Sequence, residues 1–145
     1  MAILSFEHIL VPYDGTKTGN KAFNGALQLA KRFESKITVL SCIEKESTFV
    51  FFDTKSDKKI TKKRNNVMQE KITKLKSQAA KRGIKFNSKI TSCSLASKCI
   101  TSYVKSHKID LIVMSKNAKI SPEKIYHDST VNYVYNDVDC PMLNL

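Results

Sequence analysis

Four cysteines, three histidines and an aspartate at the end of an apolar run have the most chemistry to offer in this chain, and their spacing limits what they can do. Cys42, Cys93, Cys99 and Cys140 contain no Cys-x-x-Cys pair, and His8, His107 and His127 lie far from them and from each other. Zinc sites are legible in a sequence through closely spaced pairs of such ligands, so no metal site is assigned. The same distances yield no Ser-His-Asp or Cys-His set and no paired carboxylates, and no catalytic residue is assigned either. Cys42, inside an apolar stretch, reads as a core thiol, as free cysteines usually are. Asp14 stands out because it closes the apolar run 9–13 and precedes Gly15, at the point where a buried strand runs into a turn.

The elements that must position these residues follow from the hydrophobic period. After the strand at 9–13, Ala22, Ala26, Leu29 or Ala30, and Phe33 recur at helical spacing behind Thr16 and Thr18, either of which caps the helix. Residues 37–43 read as a second buried strand. A polar, lysine-rich stretch follows, and its apolar cluster at 49–52 is expected to cover a sheet edge or a partner surface. The longest helix is expected over about residues 61–82, where Met68, Ile72, Leu75 and Ala79 share one face, Lys71, Lys74, Gln78 and Lys81 the other, and Gly83 supplies a stop. Phe86, Ser88 and Ile90 sketch a third strand. Ala96, Cys99 or Ile100, Tyr103 and His107 trace a third helix, and residues 110–115 (DLIVMS) a strongly apolar fourth strand. Val131, Val134, Tyr135 and Val138 mark a last helix before a short strand at 142–145. The alternation predicts one α/β domain over residues 1–145, a doubly wound five-stranded parallel sheet with helices on both faces. Ligands of such sheets sit beyond the carboxyl ends of the strands, where strand order reverses, which directs attention to Asp14, Cys42 and Ser115.

Composition narrows the function classes. The 145 residues, 41% hydrophobic and 26% charged, hold enough apolar material for one core and little room for a second domain. Four glycines and three prolines exclude collagen-like and linker-like chains and nearly exclude a glycine-rich phosphate loop. The net charge of +12 is concentrated, since residues 55–89 carry thirteen Lys and Arg against Asp57 and Glu70. Such a block attracts nucleic acid, anionic lipid or an acidic protein, or else forms a solvated helix face. No aromatic stacking platform or helix-turn-helix pattern accompanies it. The amino-terminal stretch lacks a basic leader and breaks its apolar run with Glu7 and His8, and no later run is long enough to span a bilayer. The expectation is a cytoplasmic protein with reduced thiols and no membrane partner.

Three stretches carry a resemblance. ILVPYDGT at 9–16, DLIVM at 110–114 and DSTVNYVYNDVDCPML at 128–143 occur in an order and at a spacing through which the chain resembles the universal stress protein family over nearly its whole length. The resemblance implies the adenine nucleotide alpha hydrolase-like sheet with strand order 3-2-1-4-5, and a homodimer, which is expected to form through the carboxyl-terminal strand. Family members that bind ATP carry, after strand four, Gly, two residues, Gly, nine residues, Gly, then Ser or Thr. Glycines let backbone N–H groups approach phosphate, and the following helix N-terminus adds partial positive charge. Here Ser115, Ala118 and Asp128 replace all three glycines, while Ser129 remains. Asp128 would act as the N-cap of its own helix, taking the donors that phosphate takes in ATP-binding relatives. Lys116 and Lys119 read as ordinary surface lysines.

By position, the resemblance places Pro12, Asp14, Cys42, Met114, Ser115, Asn117, Ala118, Asp128, Ser129 and Thr130 at the nucleotide cleft. Asp14 matches a residue beside the ribose and phosphates; its other reading is a turn carboxylate capping the first helix. The expected function is a non-catalytic, dimeric stress-response protein with a degenerate nucleotide cleft, no cofactor and no bound ATP. The alternatives are an adenine-nucleotide module binding AMP or ATP, and a module binding nucleic acid or an acidic partner through residues 55–89.

Overall fold

The apolar runs and amphipathic stretches resolve, in the computed structural model, into a parallel sheet and four helices over the residues it describes, 5–44, 55–115 and 129–145. In chain order these are β1 (His8–Pro12), α1 (Lys17–Phe33), β2 (Lys36–Glu44), α2 (Lys55–Lys81), β3 (Phe86–Cys93), α3 (Ala96–Ser106), β4 (Leu111–Met114), α4 (Ser129–Asp137) and β5 (Met142–Asn144). The sheet order is β3-β2-β1-β4-β5 and every pairing is parallel, as expected. β1 is central: Ile9 pairs with Ile37 of β2 on one side and with Leu111 of β4 on the other. Strand order therefore reverses between β1 and β4.

Successive residues of a strand face opposite sides of the sheet, and both sides are covered. Ile9, Val11, Ile37, Val39 and Val113 pack with Ala22, Phe23, Ala26 and Leu27 of α1 and with Ile72, Leu75 and Ala79 of α2. Leu10, Leu40, Cys42, Ile112 and Met114 pack with Ala96 and Ile100 of α3 and Val134 of α4. The helix ends follow elementary chemistry. Thr16 is the N-cap of α1, its hydroxyl oxygen accepting from Gly19 N, and Gly83, at φ +67°, takes the left-handed turn that follows α2.

Three expectations need correction. Phe33, placed on the buried stripe of α1, is 37% exposed and makes an edge contact with Phe6, while Phe23 and Leu27 enter the core. Helix α2 begins at Lys55 rather than near residue 61, because its first turns consist of lysine-rich residues that form a helix without an apolar stripe to announce it. Tyr135, taken as a core marker of the last helix, is 67% exposed, and Val134 alone of that pair is buried. The apolar cluster at 49–52 lies outside the described residues.

Candidate functional site

The reversal point is built at the carboxyl ends of β1 and β4. Pro12 ends β1 opposite Leu40, and the next residue continues the pairing, with Tyr13 N donating to Leu40 O at 2.9 Å. The Ser41 hydroxyl donates to Tyr13 O at 2.9 Å, so the backbone entering Asp14 is held from β2.

Asp14 is 7% exposed and its Oδ1 accepts from Thr16 N at 3.0 Å and from the Thr16 hydroxyl at 2.6 Å. Thr16 has one hydroxyl proton, and donating it to Asp14 leaves its oxygen to accept from the Thr18 hydroxyl at 2.9 Å and from Gly19 N at 3.2 Å. A relay thus runs from the carboxylate through Thr16 to the amino end of α1, where the helix dipole favours negative charge. Gly19 is required beside it: a Cβ there would stand 2.9 Å from Asp14 Oδ1 and 3.1 Å from Tyr13 Cδ2. Gly15 takes φ +82°, and Lys71 of α2 donates to its carbonyl at 3.0 Å, pinning the basic helix to this turn. Asp14 therefore supports the turn and the capping residue Thr16, while the cap of α1 itself is Thr16.

At the end of β4, Leu145 N donates to Met114 O at 2.9 Å, and the Ser115 hydroxyl donates to the main-chain oxygen of Leu145 at 3.1 Å. Cys42 and Met114 both belong to the core cluster under α3 and α4, and Thr130, in the first turn of α4, is buried. Cys42 on β2 and Met114 on β4 stand on either side of β1, and the Asp14 and Ser115 side chains bond to their own neighbours, Thr16 and Leu145. Ser129 opens α4. Asn117, Ala118 and Asp128 lie outside the described residues, as do Lys116 and Lys119.

A second cluster was not legible beforehand. Cys42 on β2, Cys93 closing β3 and Cys99 in the first turn of α3 place their sulfurs within 4.8 Å of one another, and all three are free thiols. Burial pushes the Cys42 thiol well above its ordinary value, and the neighbouring sulfurs of Cys99 and Cys93 push it further. Cys93 is pushed up to about 12, by burial first and then by hydrogen bonding to Cys99. A cavity of about 310 Å³ between β3 and α3 reaches Cys93 and Cys99, with Lys89, Lys98, Tyr103 and His107 on its walls. The stacked rings of Tyr103 and His107, 3.8 Å between centroids, form one side. The signal missed is a register: Cys42 pairs with Thr91 and Glu44 with Cys93, which sets Cys42 and Cys93 diagonally on one sheet face. No spacing rule for metal ligands contains that information. A further groove of about 500 Å³ between α1 and α2 is lined by Tyr13, Lys17, Asn20, Lys71, Lys74 and Gln78, among others.

The model of the universal stress protein family matches residues 5–144. The universal stress protein MJ0531 of Methanocaldococcus jannaschii is 26% identical over 139 residues, which are 95% of this chain and 81% of that protein. Universal stress protein UspA of Lactobacillus plantarum superposes with a TM-score of 0.75 at 21% identity, covering 97% of this chain and 98% of its own. A universal stress protein family protein of Arabidopsis thaliana, solved with AMP bound, superposes with a TM-score of 0.70 at 12% identity, covering 96% of this chain and 90% of its own. At these identities the structural likenesses concern the fold.

Proposed function

Because the chain belongs to the universal stress protein family, we propose that it is a non-catalytic, dimeric stress-response protein whose nucleotide cleft is degenerate and does not hold ATP. The observation that carries the proposal is Ser115. It stands where ATP-binding relatives have the first glycine of the phosphate loop, and its hydroxyl bonds to the main-chain oxygen of Leu145. A side chain anchored there occupies space that a phosphate needs for close backbone approach. The commitment of Asp14 Oδ1 to Thr16 agrees with this reading, as do the replacements at 118 and 128. Calorimetric titration with Mg-ATP at physiological salt tests it: the native chain gives no micromolar binding, and changing Ser115, Ala118 and Asp128 together to Gly raises the affinity. Micromolar binding by the native chain, or a folded triple variant that gains nothing, overturns it.

A second reading is an adenine-nucleotide module that takes AMP, supported by the AMP-bound Arabidopsis relative. A monophosphate makes fewer demands on the glycines than a triphosphate. Titration with AMP beside ATP separates the two readings. The proposed dimer forms through β5, an edge strand whose Met142 and Leu143 are only partly buried and whose successor Leu145 is exposed. A monomeric mass in solution at micromolar concentration refutes it. Among the described residues no helix is long and apolar enough to cross a membrane, and the free thiols fit a reducing, cytoplasmic setting. The exposed basic face of α2 is proposed to meet an acidic protein or nucleic acid; polyanion at low salt then raises the melting temperature, and an unchanged value leaves only a solvated face.

A further inference from the structure

We propose that Cys42, Cys93 and Cys99 form a three-thiolate site for a soft, thiophilic metal cation, with cuprous copper the ion that fits it best. The three sulfurs lie within 4.8 Å of one another. Around a single ion at a metal–sulfur distance of about 2.3 Å, three sulfurs stand about 4 Å apart, so closing the site asks for small side-chain adjustments only. Cys93 and Cys99 are partly exposed and free to make them; Cys42, 2% exposed, supplies the fixed point.

The donors are held by regular elements. The ladder between β2 and β3 sets Cys42 and Cys93 diagonally on one face, and Ala96 and Ile100 pack α3 onto that same face. Glu44, opposite Cys93 in the ladder, accepts from Ala96 N at 2.8 Å and so fixes the start of α3 three residues before Cys99. A carboxylate that orients the element carrying a ligand is a common outer support of metal sites.

Donor chemistry selects the ion. Among the described residues no histidine or carboxylate joins the three sulfurs, so the set lacks the fourth donor that closes a structural zinc site. Soft thiolates select cuprous copper, which accepts three-fold coordination. Three thiolates around a monovalent ion leave net negative charge, and Lys89 and Lys98 on the wall of the adjoining cavity oppose it. That cavity is also the entry path. On loading, each S–H bond is replaced by an S–Cu bond and the proton passes to solvent; no electron changes hands. Cys140 is outside the group.

The test uses the full chain, reduced and anaerobic, titrated with Cu(I) against a chromogenic Cu(I) chelator while ultraviolet thiolate-to-copper absorption and the melting temperature are followed. One equivalent binds, the melting temperature rises, and Cys93 and Cys99 are protected from alkylation while Cys140 is not. Cys140→Ser leaves the affinity unchanged. Cys93→Ser and Cys99→Ser each weaken it by more than about 100-fold, since even loss of an outer partner costs ~10- to 100-fold. Native affinity in Cys99→Ser, absence of the absorption band at one equivalent, or displacement of the copper by equimolar Zn(II) overturns the proposal. Should the serine variants fail to fold, the alkylation pattern of the native chain decides: Cys93 and Cys99 left reactive at one equivalent of Cu(I) overturn it.

Discussion

On one face of the sheet, α1 and α2 press Phe23, Leu27, Ile72 and Leu75 onto Ile9, Val11, Ile37 and Val39, with Met68 as the sulfur among them. On the other, α3 and α4 cover Leu10, Leu40 and Ile112, and all four cysteines together with Met114 and Met142 lie in that cluster or against it. The first face is built almost wholly from hydrocarbon side chains, and the groove of about 500 Å³ runs between its two helices. The second adds the polarizable sulfur groups to its Leu, Ile and Val side chains, with a cavity of about 310 Å³ beside them. The difference lies in chemistry rather than in room: a cavity adjoins each face, but the four thiols gather on the second, the sulfur face, while the hydrocarbon face holds Met68.

The comparison breaks most readily through large core deletions. Phe23 is fully buried and meets Phe86 edge to face at 6.1 Å, so Phe23→Ala is expected to cost about 3–5 kcal/mol in urea unfolding. Cys42→Ala on the other face removes one buried atom and is expected to cost about 0.5–1.5 kcal/mol, in the range for such deletions. Equal losses in the two variants would show that the sulfur face is ordinary core.

Gly19→Ala sharpens the reading of the turn that joins the faces. In most helices this change gains nearly 1 kcal/mol. Here the added carbon meets Asp14 Oδ1 at 2.9 Å, and a net loss of about 1–3 kcal/mol is expected from overpacking. A stabilised Gly19→Ala protein would mean that Asp14 leaves its place without penalty. Thr16→Ala removes the cap of α1 and is expected to lower stability by about 0.5–2 kcal/mol, read from the same unfolding curves.

The smallest effect concerns pH. His8 follows the same alternation as Leu10, on the sulfur face, with Nε2 2.7 Å from Thr38 Oγ1. Burial lowers its value below the ordinary 6.5, with the charge of Lys36 acting in the same direction. The unfolded chain therefore binds this proton more readily than the fold does, so stability is full above about pH 6.5 and falls as pH drops below it toward the depressed folded value. His8→Gln should flatten that part of a melting-temperature profile. An unchanged slope would assign the pH dependence to other groups.

Local pattern alone determined the order and type of the elements, the parallel sheet and the family resemblance, because a buried parallel strand needs a continuous apolar run and an amphipathic helix needs its period. ILVP and LIVM declare themselves for that reason. Patterns failed where no apolar face marks an element or where the face is ambiguous: the lysine-rich first turns of α2, Phe33 and Tyr135. At the reversal point the sequence left Asp14 two roles, and its hydrogen bond to Thr16 came only with the tertiary structure, since it depends on how the strand end meets the helix start. The three-sulfur cluster was decided by tertiary structure entirely. Cys42 and Cys93 meet through a strand register, and Cys99 joins them because Ala96 and Ile100 dock α3 on that face. Register and docking are set by the packing of many side chains at once, and no spacing within the sequence encodes them.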